Sequence, residues 1–155
     1  MELMIATTLG GLIGGLGGLA LLGWMAGKAQ AQYPHARIQL PPDTLAEKEA
    51  ELARWGAEHG YRLQPSLVDK QPVYRKGRGW LTSATEIRLH PDGTLDIDEV
   101  VNFLITTRRF ALNAPVMIGQ PVRARKLKAV NQLLAQWQLP PLRIGGDKVK
   151  LKVKS

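Results

Sequence analysis

Cysteine is absent from this 155-residue chain, which excludes disulfides, thiolate metal sites and cysteine nucleophiles. Histidine is scarce. His35, His59 and His90 are the three present, and their spacing suggests no shared metal site. The serines Ser66, Ser83 and Ser155 lack a Gly-x-Ser-x-Gly context, so no serine nucleophile is expected. Acidic residues are nearly missing from the C-terminal end: residues 120–155 hold nine Lys/Arg against Asp147 alone, and residues 1–119 balance to zero. The whole net charge of +8 therefore lies in the last 36 residues, a field that draws an anionic surface to one end of the molecule.

Long polar stretches are also lacking. With 45% hydrophobic residues the composition excludes a disordered protein, and the length allows one globular domain at most. Leu3 to Ala26 contains no charged side chain. As a helix these residues span about 36 Å, enough to cross a hydrocarbon core of about 30 Å, so a transmembrane helix is predicted. A cleaved signal peptide is the rival, with Ala29-Gln30-Ala31 as the small-x-small site and a secreted or periplasmic domain as the product. Glu2 stands where a basic n-region belongs, Lys28 falls inside the cleavage region, and the apolar stretch is long, all of which favour retention. Lys28 and Arg37 then place the C-terminal side in the cytoplasm.

Gly10, Gly11, Gly14, Gly15, Gly17 and Gly18 fall on one half of the helical wheel, opposite Leu9, Leu12, Ile13, Leu16 and Leu19. A face without side chains admits a second backbone, so these six glycines are candidate helix-packing residues.

Residues 27–42, with Pro34, Pro41 and Pro42, read as a linker. Asp43 or Thr44 caps a helix ending at His59-Gly60, with Glu47 at the capping-box spacing from Thr44. Short strands are predicted at Tyr61–Leu63, Val73-Tyr74, Trp80-Leu81, Glu86–Leu89 and Thr94–Ile97, the last two joined by the turn His90-Pro91-Asp92-Gly93. A helix is predicted from about Asp98 to Arg109, with Asp96, Asp98 and Glu99 at its N-terminus, Arg108 and Arg109 at its end, and Val100, Val101, Leu104 and Ile105 as its buried stripe. Extended pieces at Phe110–Leu112 and Val116–Ile118 precede a last helix from Pro121 to Gln138.

The predicted fold is α+β: a single transmembrane helix, then a small domain with a short antiparallel or mixed sheet and about three helices. The expected divisions are a tail over 1–2, the span over 3–26, the linker over 27–42, the domain over 43–142 and a basic tail or edge strand over 143–155.

Asp92, Gly93, Asp96 and Glu99 match the second half of an EF-hand loop, but Arg88 and His90 occupy positions that need oxygen ligands, so no metal is expected. Arg75, Lys76 and Arg78 with two glycines form a cationic loop that lacks the P-loop pattern. Arg123, Arg125, Lys126 and Lys128 crowd the positive end of the last helix, where an external anion would offset them. Lys148, Lys150, Lys152 and Lys154 alternate with apolar residues along one edge. These eleven cations are the candidate anionic-surface residues. No catalytic residue, cofactor or metal is expected.

The function this supports is a non-enzymatic, single-pass accessory or scaffold subunit in the inner (plasma) membrane of a bacterium. Its partners would be lipid, other transmembrane subunits (itself or different) and a cytoplasmic protein. A membrane-tethered nucleic-acid binder is the alternative.

Overall fold

The computed structural model describes residues 2–79, 83–103 and 106–145, with side chains from residue 14 onward. Among these residues are three α-helices, α1 (Glu2–Gln32), α2 (Leu45–Glu58) and α3 (Gln120–Gln136). Six strands accompany them: β1 (Ala36–Gln39), β2 (Arg62–Pro65), β3 (Pro72–Lys76), β4 (Ser83–Leu89), β5 (Thr94–Phe103) and β6 (Thr106–Ala111). They form one antiparallel sheet ordered β1-β5-β4-β3-β2, with β6 also on β5. β5 changes partner midway: residues 94–97 pair with β1, and Asp98 onward pairs with β6.

Strand alternation sorts the sheet into two faces. Ile87, Leu95, Ile97, Val101, Phe103 and Phe110 point to one side and join Leu52, Trp55, Leu127, Val130, Leu134 and Trp137 from α2 and α3 in a single core. The opposite side carries Arg37, Glu86, Arg88, Asp96, Asp98 and Arg109. The segment 66–71 crosses part of this charged side: Leu67 N donates to Glu86 Oε1 at 2.7 Å, and a Cβ on Gly79 would lie 2.6 Å from Leu67 Cδ1.

The predicted transmembrane helix is corrected. Among the described residues no helix is long and apolar enough to cross a membrane. Over 14–32, six glycines contribute no apolar side chain, and Lys28, Gln30 and Gln32 make the end of α1 polar. The end of that helix belongs to the domain instead: Ala26, Ala29 and Tyr33 are buried in the common core, and α1 packs along β6. The anchored scaffold role, the membrane tether of the nucleic-acid-binding alternative and the inner-membrane address all rest on this segment crossing a membrane. They lose their basis with it.

Residues 27–42, expected as a linker, hold the end of α1, then β1 and a 3-10 turn at Pro42–Thr44. The predicted helix over 98–109 is replaced by β5 and β6, and Leu104 and Ile105 of its expected stripe lie outside the described residues. Asp98 and Glu99 are therefore interior strand residues and not helix caps. Thr44 makes no capping bond to α2; its hydroxyl donates to the Pro41 carbonyl at 3.0 Å. Val116–Ile118 takes no strand pairing, and Trp80-Leu81 lies outside the described residues. The His90–Gly93 turn does join β4 to β5. Gly93 N donates to His90 O at 3.0 Å, and Gly93 adopts φ +88°.

Candidate binding surface

Three features of the described residues have the chemistry to do something beyond folding. The first is apolar. α1 exposes Leu21, Trp24 and, further back, Leu16, and at helical spacing Leu21, Trp24, Met25 and Lys28 share one side of the helix. The turn before α3 exposes Met117. Between them lies a groove of about 270 Å³ walled by Trp24, Met25, Ala29, Tyr33, Val116 and Met117. Its exposed anchors are large: Trp24 is 63% and Met117 78% exposed. Contiguous apolar surface of this kind marks interaction sites. Among the described residues Lys28 is the one charged residue in the lining, and it sits 5.3 Å from the Trp24 ring. Arg108 of β6 meets another side of α1, 3.7 Å from where a Cβ on Gly27 would stand.

The second feature is the charged side of the sheet. Arg37 grips Asp96 with two bonds, Nε to Oδ1 at 2.7 Å and Nη2 to Oδ2 at 3.1 Å, and His90 Nε2 adds a third at 2.8 Å. Burial pushes the Asp96 carboxyl up, but the Arg37 and His90 bonds outweigh it and hold it below the usual carboxylate range. His35 Nδ1 lies 2.7 Å from Asp98 Oδ2. Arg109 reaches Glu86 and Ser66, at 3.1 and 2.9 Å. Asp69 of the crossing segment takes both Arg88 nitrogens, at 2.7 and 2.8 Å, and its carboxyl is held far below the ordinary range by that pair. Each acid here has a cationic partner, which leaves little unspent charge for a ligand. No group of His, Cys, Asp or Glu among the described residues is arranged to hold a metal ion.

The third is a polar cleft of about 450 Å³ between α2 and α3, lined by Glu51, Arg54, Trp55, Glu58, His59 and Gln132 among others. Its charges are of both signs, and Glu51 is already engaged by Trp137 Nε1 and Lys48. His59 stacks on Trp55 and bonds the Trp55 carbonyl, as a residue of the last turn does.

The predicted cations divide. Arg123 is buried; its guanidinium donates to the carbonyls of Ala114, Val116 and Ile118 and lies over the Phe110 ring. Lys126 is buried with Nζ 3.5 Å from Glu99 Oε2, and burial draws its pKa down. The charges of Arg123 and Lys126 at the start of α3 are thus offset from within, by carbonyls and by Glu99. Arg75 is tied to Pro65 O and Gln64. Lys76, Arg78, Arg125 and Lys128 are exposed. Lys148, Lys150, Lys152 and Lys154 lie outside the described residues.

Open space surrounds Gly14, Gly15, Gly17 and Gly18, with nothing within 4 Å of where a Cβ would stand, so none of the described helices packs on them; Gly10 and Gly11 lie on α1 ahead of the described side chains. The residues that sequence reasoning missed are Trp24 and Met117, His35 and Asp98. Trp24 was hidden inside an apolar run, and the others acquire meaning only from partners far along the chain.

No known family model, curated protein or solved structure matches the chain.

Proposed function

We propose that the protein is a non-catalytic binding module that docks an acidic, amphipathic segment of a partner protein in the groove between α1 and the turn at 115–117. The observation that carries this reading is the pairing of Trp24 with Met117 across one apolar groove, both mostly exposed. Aromatic and methionine side chains are over-represented at interface cores, and Met adapts its shape to what it meets. Charge complementarity selects the acidic occupant. Lys28 in the lining is cationic, no carboxylate among the described residues lines the groove, and the whole chain carries +8.

The test uses a fluorescein-labelled helical peptide of Leu and Glu against the full chain, read by anisotropy. Saturable binding that weakens with salt and is lost in Met117→Glu and Lys28→Glu supports the reading. Equal binding of a Leu/Lys peptide overturns the charge argument. Binding indifferent to Met117→Glu, or replaced by self-association of the chain at this groove, overturns the proposal.

A further inference from the structure

At the end of α1 the chain turns through Pro34 and His35 into β1. Asp98 sits where β5 exchanges β1 for β6. Its carboxylate accepts from His35 Nδ1 at 2.7 Å and from Ala36 N at 3.3 Å, while Arg109 Nε of β6 stands 3.9 Å away. The same few residues hold α1 to the sheet: Ala26, Ala29 and Tyr33 are buried, and Ala111 N of β6 donates to Tyr33 O at 2.8 Å. Asp98 therefore joins the start of β1, the end of β6 and the foot of α1 at one point.

We propose that His35 and Asp98 form a proton-controlled clasp that sets how firmly the foot of α1 is held against β5 and β6. His35 is placed for this role, with its side chain 32% exposed and open to solvent protons, whereas that of Asp98 is 5% exposed. The charged groups facing the pair come from β1, β4, β5, β6 and the turn at His90; Arg88 of β4 is among them, paired with Asp69. Asp96 lies two residues before Asp98 and is bound by Arg37 and His90; Glu86 lies opposite Asp98 on β4 and is bound by Arg109. The bond to Asp98 raises the His35 pKa, burial opposes it, Asp96 adds to the rise and Arg37 reduces it, with a net rise. Burial raises the Asp98 carboxyl as well, against its bond to His35. Both groups hold protons more tightly in the folded chain than in the unfolded one. The His35 contribution is thus complete below the ordinary histidine pKa of about 6.5 and is lost as pH rises through the raised folded value. Met25 and Ala29 of the same helix, with Tyr33 just after it, wall the apolar groove, so releasing the foot of α1 opens that wall; this consequence rests on the docking function proposed above.

The experiment is an NMR titration of the His35 ring in the full chain, with amide hydrogen exchange over 29–36 at pH 6 and pH 8.5 corrected for intrinsic rates. His35 titrating above an exposed histidine, with protection falling several-fold at the higher pH, supports the clasp. His35→Gln abolishing that pH dependence while His90→Gln keeps it supports it further. His35 titrating at or below the exposed value, or His35→Gln retaining the wild-type trend, overturns it. Leu/Glu peptide affinity at the two pH values then separates the claims. Weaker binding at pH 8.5 supports the link to the groove, and unchanged affinity beside a working clasp overturns that link. No binding at either pH overturns the docking function and leaves the clasp standing.

Discussion

Lys126→Met isolates the most exacting contact in the core. Glu99 has no solvent exposure, its Oε1 accepts the Thr85 hydroxyl, and its Oε2 faces Lys126 Nζ at 3.5 Å. Methionine keeps the length of the lysine stem and removes the charge, so packing is little altered and a carboxylate is left buried without its counter-ion. Breaking one partner of such a pair costs about 3–5 kcal/mol. With a urea dependence of about 2 kcal/mol per molar, the midpoint falls by about 1.5–2.5 M. Adding Glu99→Gln removes the orphaned charge and keeps an oxygen for Thr85, so the double variant recovers more than half of the loss. The assay is reversible urea unfolding at pH 7 followed by circular dichroism, with the four chains analysed as a double-mutant cycle. A loss below about 1 kcal/mol in Lys126→Met, or a double variant as unstable as the sum of the singles, refutes the buried pair.

Gly93→Ala places a Cβ 2.6 Å from the Leu40 carbonyl oxygen at φ +88°; strain of about 1–3 kcal/mol is expected, read as a lowered thermal midpoint, and an unchanged midpoint contradicts the turn geometry. Asp96 and Asp69 have depressed pKa values, so the stability they add is present above the ordinary carboxylate pKa of about 4 and is lost as pH falls through their lower folded values. Arg37→Gln relaxes the Asp96 depression and should move the acid-unfolding midpoint, followed by circular dichroism from pH 6 to 2, toward higher pH. An unmoved midpoint contradicts the Arg37–Asp96 pair as a source of acid stability. Arg123→Leu strips donors from two buried carbonyls and one half-buried carbonyl and should cost about 2 kcal/mol or more by urea unfolding; a neutral effect would show those carbonyls to be hydrated.

What was legible in the sequence was what depends on neighbours in the chain. The His90–Gly93 turn carries its own instructions in Pro91 and Gly93, and strands flank it where the alternation of Glu86–Leu89 and Thr94–Ile97 placed them. Pro121 and the apolar spacing of Leu127, Val130 and Leu134 located α3 to within a turn. The segment after Ile97 was misread because Asp98 and Glu99 next to an apolar run look like a helix start. Their partners are His35, 63 residues back, and Lys126 from another element, and no local pattern announces either. Val100 and Val101 fit a helical stripe and a strand equally well, and pairing with β4 and β6 decided for the strand. Arg123 and Lys126 read as surface charge because carbonyl cages and buried carboxylates exist only after folding. The uncharged run from Leu3 read as a membrane span because length and lack of charge are the whole of that signal. The burial of Ala26, Ala29 and Tyr33 against the sheet is a tertiary fact.

The groove is tested most directly by methionine-methyl NMR. The chain has four methionines, and two of them, Met25 and Met117, line the groove. On titration with the unlabelled Leu/Glu peptide, the Met25 and Met117 methyl signals should shift together along one saturation curve. Methyl signals that stay in place at saturating peptide, or that shift at Met1 and Met4 alone, would contradict a binding surface between α1 and the turn before α3.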